Sequence, residues 1–189
     1  MKLGFFGGSF NPPTIAHYNL IKQALIEYDF DKVYFVPMND YYKKAGLIDM
    51  EKRVDMLKLV CKNDSKIEVS NIEQEMNYAS SAIDAFRLIE KKYANNEIVF
   101  FMGEDNFSKM ETWKDYDELK KYNYIVFQRN ENHILNINQK NVIYMKNREN
   151  LSISSTIIRN RLKRNESIDD FVMSDVKEYI LKNKLYFSK

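Results

Sequence analysis

The chain has 189 residues, 44% of them hydrophobic and 14% aromatic, which is enough apolar material for one domain over residues 1–189 with a buried core and a small helical part from about 151 onward. Its 29 basic and 27 acidic residues leave a formal net charge of +2, so nothing in the overall charge points to nucleic acid or an anionic membrane as partner. The lone cysteine, Cys61, excludes an internal disulfide and a multi-cysteine zinc site. It falls in an apolar-periodic stretch and reads as a core residue.

In chain order, residues 3–6 predict a first strand that is cut off by Gly7-Gly8. From Thr14 to about Glu27 the spacing of Leu20, Ile21 and Leu25 predicts a helix. Residues 32–36 predict a second strand closed by Pro37, and 50–62 a helix that turns Val54, Leu57, Val60 and Cys61 inward. A short strand is expected at 67–69 and a helix at 80–93 bearing Ile83, Phe86, Leu88 and Ile89. Residues 97–102, apolar on both faces, predict the centre of a parallel sheet. Strands at 124–128 and 142–145 bracket a polar surface loop at 130–140, and helices at 154–164 and 174–183 finish the chain. Strands alternating with helices of this length imply an α/β fold, with a parallel sheet covered on both faces. The first ten residues lack the apolar core of a secretion signal, and the longest apolar run, 98–102, is too short to span a bilayer. A soluble, cytoplasmic protein is expected.

In an open parallel sheet ligands bind beyond the carboxyl ends of the strands, where the connections diverge. The loop Gly7-Gly8-Ser9-Phe10-Asn11-Pro12-Pro13-Thr14 lies at such a place. Its glycines let backbone approach a ligand, its prolines stiffen the path, and the following helix offers N–H groups and a partial positive end to phosphate oxygens. Thr14 and His17, three apart, lie side by side on the first helical turn. A second candidate lies at 152–159, reading S-I-S-S-T-I-I-R. Ser154 is a good N-cap, Ser154, Ser155 and Thr156 place three hydroxyls at a helix start, and Arg159 lies one turn on with a forked guanidinium. An ordinary capped helix with a surface arginine would read the same way.

Gly8, Phe10, Pro12, Thr14 and His17 together resemble the G-x-F-x-P-x-[HT]-x-x-H signature of the HIGH-motif nucleotidyltransferases, and Ile153 to Thr156 with Arg159 resembles the I-S-S-T-x-x-R motif of the nicotinate and nicotinamide mononucleotide adenylyltransferases. The bacterial nicotinate mononucleotide enzymes are similar over most of the chain. That resemblance implies a Rossmann-like open parallel sheet and transfer of AMP from ATP to nicotinate mononucleotide in NAD biosynthesis. It assigns catalysis to His17, Thr14 and Arg159, and ATP binding to Gly7, Gly8, Ser9, Phe10, Gly103, Asp105, Ser154, Ser155 and Thr156. It gives the acceptor Lys43 or Lys44, Trp113 as a stacking ring, Asp84 and Arg129. The partners implied are ATP and a pyridine mononucleotide, with Mg²⁺ bound mainly through the ATP phosphates. A homo-oligomer is compatible with all of this.

Three positions depart from the family pattern: Thr14 stands for the usual first histidine, Ala16 for a glycine, and Ser80-Ser81-Ala82-Ile83-Asp84-Ala85 for S-Y-T-x-D-T. The last change leaves nicotinate against nicotinamide open, and Thr14 keeps phosphopantetheine as an alternative acceptor. A nucleotide-binding regulator without catalysis is the reading from another class, opposed by the presence of His17 and Arg159. His133 lies in the polar 130–138 segment and reads as solvated.

Overall fold

A computed structural model describes residues 1–42, 44–128, 140–146 and 153–187. Six strands, β1 (Lys2–Gly8), β2 (Lys32–Pro37), β3 (Ile67–Val69), β4 (Glu97–Gly103), β5 (Asn123–Gln128) and β6 (Val142–Lys146), form a parallel sheet in the order β3-β2-β1-β4-β5-β6. The helices are α1 (Ile15–Glu27), α2 (Met50–Cys61), α3 (Ala82–Lys92), α4 (Glu104–Phe107), α5 (Tyr116–Leu119), α6 (Ser155–Lys163) and α7 (Ser174–Lys182). The α/β class and parallel pairing agree with the sequence pattern.

Alternation along the strands sorts the core into two layers. Phe6, Val33, Phe35, Phe101, Ile125 and Phe127 point to the face covered by α1, α2, α6 and α7, where Ile21, Leu57, Ile158, Val176 and Ile180 meet them. Leu3, Phe5, Phe100, Met102 and Val126 point to the opposite face, against Ile83 and Ile89 of α3 and Phe107, Met110 and Leu119 of the β4–β5 connection. Burying one such side chain is worth about 1.5–3 kcal/mol, so a one-residue register slip, which would exchange the two sets, is strongly opposed.

The chain runs outward from β1 through α1 to β2 and through α2 to β3, then crosses under the sheet through α3 to β4. Connections leaving the adjacent strands β1 and β4 therefore go to opposite faces, which opens a crevice at their carboxyl ends.

Candidate active site

A cleft of about 740 Å³ occupies that crevice. Its wall is built from the end of β1 and the loop after it (Gly7 to Asn11), the first turn of α1 (Thr14, His17), the loop after β2 (Lys44, Ala45), the end of β4 (Gly103 to Asn106) and the start of α6 (Ile153 to Thr156, Arg159). The two motifs, far apart in sequence, line the same space.

Close backbone approach explains the glycines. A Cβ on Gly8 would lie 2.9 Å from the Phe10 ring, whereas a Cβ on Gly7 or Gly103 would meet no protein atom within 4 Å, so both strand ends stand open to a ligand. Phe10 takes a left-handed backbone, φ 44°, that non-glycine residues rarely adopt. Its ring is buried at 3% exposure and packs edge-on against Phe6, Phe35 and His17, which holds the turn in place.

Thr14 and His17 form a reciprocal cap of α1. The Thr14 hydroxyl accepts from His17 N–H at 3.3 Å, and His17 Nδ1 accepts from Thr14 N–H at 2.9 Å with the Thr14 hydroxyl equally close. An imidazole that accepts at Nδ1 carries its hydrogen on Nε2, so the cap fixes the tautomer as well as the ring's orientation. The helix end offers phosphate less than the sequence suggests, because Ile15 N–H is taken by the Phe171 carbonyl at 2.9 Å and His17 N–H by Thr14.

At α6, Ser154 caps the helix by accepting from Ile157 N–H at 3.3 Å. Ser155 Oγ donates to the Pro12 carbonyl at 2.7 Å and Arg159 Nη1 to the Asn11 carbonyl at 2.8 Å, so α6 is tied directly to the first loop. Arg159 Nη2 also donates to Thr156 Oγ1 at 3.2 Å. The expectation of three hydroxyls offered to an anion is thus narrowed, since the Ser155 hydrogen is committed within the protein. Lys44 Nζ donates to Ser9 Oγ at 2.9 Å. His17, Lys44 and Arg159 make one side of the cleft suited to phosphate, while Glu104 and Asp105 make the β4 side acidic.

Asp84 and Trp113 lie outside this lining. Asp84 Oδ2 accepts from the Ser81 hydroxyl at 2.6 Å and the Ser81 N–H at 2.9 Å, capping α3. Those bonds from Ser81 hold its carboxyl below the usual carboxylate range, with Lys114 and Arg87 adding a smaller effect. Trp113 is partly buried against the core layer on the α3 side. Lys43 and Arg129 fall outside the described residues, as does His133.

Three residues matter more than their sequence context indicated. Asn11, 5% exposed, donates to the Gly46 carbonyl at 2.7 Å and accepts from Tyr186 Oη at 2.9 Å. Arg53 is fully buried and donates to Ile48 O at 2.8 Å, Ser9 O at 2.9 Å and Asp40 Oδ1 at 2.9 Å, locking the loop after β2 to the first loop. Arg53 shares an inward helical face with Met50, Val54 and Leu57, a spacing that could have identified it. Tyr186, with Leu185, resembles the family's closing L-Y pattern and reads as packing, which gave no sign of its bond to Asn11.

Among the described residues no group of three or more His, Cys, Asp or Glu side chains is arranged to hold a metal ion. No helix among the described residues is long and apolar enough to cross a membrane.

Comparison with known proteins agrees with this geometry. The cytidylyltransferase-like family matches residues 5–161. The probable nicotinate-nucleotide adenylyltransferase of Fusobacterium nucleatum is 35% identical over 96% of this chain and 98% of its own length, and that of Acholeplasma laidlawii 34% over 96% and 95%. The Bacillus subtilis nicotinate-nucleotide adenylyltransferase is 28% identical over 99% of each chain. Among solved structures, the Plasmodium falciparum nicotinic acid mononucleotide adenylyltransferase complexed with NaAD shares the fold, with a TM-score of 0.85 at 21% identity over 98% of this chain and 97% of that one. With the nucleotidyltransferase motifs gathered around one cleft and relatives that match end to end, the chain belongs to the nicotinate-nucleotide adenylyltransferase family, within the cytidylyltransferase-like group.

Proposed function

We propose that the protein transfers AMP from ATP to nicotinate mononucleotide, giving nicotinate adenine dinucleotide and pyrophosphate. The observation that carries this reading is the convergence of His17, Lys44 and Arg159 on one cleft at the ends of β1 and β4. An oxygen of the acceptor's phosphate attacks the α-phosphorus in line. A new O–P bond forms there, the bond to the bridging oxygen breaks, and pyrophosphate leaves with the electron pair.

Such a reaction needs alignment of two mutually repelling phosphates and neutralisation of charge in the transition state, with no covalent help from the protein. His17 Nε2–H donates to the α/β-phosphate region, and Thr14 fixes the ring. The remaining N–H groups of Arg159, with Lys44, which the family resemblance gives to the acceptor but whose bond to Ser9 puts it beside the first loop, take the β/γ end and then the departing pyrophosphate. Asp105, exposed beside the open Gly103, is suited to ribose hydroxyls. Mg²⁺, brought in on the triphosphate, would supply charge neutralisation there, beside the donors His17, Lys44 and Arg159. Both nucleotides would be met in the cytoplasm.

The test is pyrophosphate release from ATP and Mg²⁺ with nicotinate mononucleotide, nicotinamide mononucleotide or phosphopantetheine as acceptor. The nicotinate compound is expected to be used best. Release with phosphopantetheine alone, or with no acceptor at all, would overturn the reading.

A further inference from the structure

The first loop is held from behind by a residue near the opposite end of the chain. Tyr186 Oη reaches Asn11 Oδ1 at 2.9 Å, 175 positions away. The same Oδ1 accepts from Ile48 N–H at 3.4 Å, while Asn11 Nδ2 donates to Gly46 O at 2.7 Å. The Asn11 main-chain carbonyl is the one that receives Arg159 Nη1. Asn11, through its side-chain amide and its main-chain carbonyl together, therefore joins the first loop, the loop after β2, helix α6 and the segment after α7.

The direction of the amide is determined by its neighbours. Its oxygen faces two donors and its nitrogen faces a carbonyl, so a flipped amide would set donors against donors. Tyr186 supplies the shorter of the two contacts to that oxygen. Burial pushes its hydroxyl well above the ordinary tyrosine value, against the opposing pull of nearby Arg159 and Arg53, so it remains a donor at any working pH.

We infer that Tyr186, acting through Asn11, is a positioning residue for adenylyl transfer, setting the carbonyl on which Arg159 rests and the loop that carries Lys44 against the triphosphate. This rests on the adenylyltransferase reading above. Its signature is a defect confined to ATP, since the contacts it controls belong to the phosphate side of the cleft.

Tyr186→Phe removes the hydroxyl alone. The control is Tyr179→Phe in α7, whose hydroxyl donates to Asp55 Oδ2 at 2.9 Å, a contact with α2 that does not border the cleft. Steady-state pyrophosphate release is measured for the full-length wild type and both variants, with thermal unfolding alongside. Tyr186→Phe is expected to lower kcat/KM for ATP about ten-fold while moving KM for nicotinate mononucleotide by less than about two-fold. Tyr179→Phe should leave both unchanged even where its Tm falls as far. In an Arg159→Lys background the Tyr186→Phe effect should shrink to about two-fold, because the two act through one carbonyl. Asn11→Ala should reproduce the ATP-specific loss, and it decides the matter if Tyr186→Phe does not fold. Wild-type ATP kinetics in Tyr186→Phe, equal losses for both nucleotides, or full additivity with Arg159→Lys would overturn the inference. An inactive wild type would instead overturn the adenylyltransferase reading, and this inference with it.

Discussion

At the scale of single residues, His17 owes its usefulness to what holds it. Its Nδ1 is engaged by Thr14 at 2.9 Å and its ring is packed edge-on by Phe6 and Phe10, so the imidazole is oriented before any nucleotide arrives. Removing one preorganised donor of this kind costs about 3 kcal/mol of transition-state stabilisation. His17→Ala is therefore expected to lower turnover about 10²- to 10³-fold, while the lost cap destabilises the fold by only about 1 kcal/mol. Pyrophosphate release and a urea titration separate the two effects, and unchanged turnover would remove His17 from the chemistry. Thr14, His17 and Arg159 were legible in the sequence because spacing on a helix dictates which side chains share a turn. Partner choice was not. The Ser155 hydroxyl goes to Pro12, and Asp84, which the family resemblance gives to the acceptor, also caps its own helix through Oδ2.

At the scale of elements, the cleft depends on α1 holding its place against the sheet. Lys22 of α1 donates to Asp64, in the turn after α2, at 2.6 Å. Burial works against ionisation of Asp64, but Lys22 and the Lys66 N–H prevail and hold its carboxyl below its usual 3.8. A carboxyl depressed in the folded state adds stability above its unfolded value, and that stability is lost as pH falls through the lower folded value. Asp64→Asn is thus expected to cost about 0.5–1 kcal/mol at pH 7, a modest figure because the Lys22 ammonium is partly exposed, and the difference from wild type should vanish once the pH falls below the depressed folded value of Asp64. Denaturant titrations at several pH values read this directly, and a pH-independent difference would contradict it. The longer helices and the strands were legible to within a residue or two, because all of them except the three-residue β3 repeat their period more than once. The short helices α4 and α5, four residues each, complete barely one turn and show no period to find.

At the scale of the whole molecule, the strand order puts β1 and β4 side by side and sends their connections to opposite faces, which is why a crevice exists at all. Helix α6 returns across the sheet to bond the first loop over separations of 143 and 148 residues. No local pattern reports such a contact. Periodicity gave the α/β class, whereas the meeting of the two motifs came from their resemblance to a known pair, and the Asn11, Arg53 and Tyr186 bonds beneath them became visible only in three dimensions. The central claim is that two chain-distant helix ends serve a single triphosphate. A crystal structure of the protein with a non-hydrolysable ATP analogue and Mg²⁺ tests it most directly. The expected result is one nucleotide in the cleft, with His17 Nε2 and the Arg159 guanidinium each within about 3 Å of oxygens on the same triphosphate chain. A nucleotide whose phosphates engage one of these residues and leave the other pointing into unoccupied solvent would contradict it.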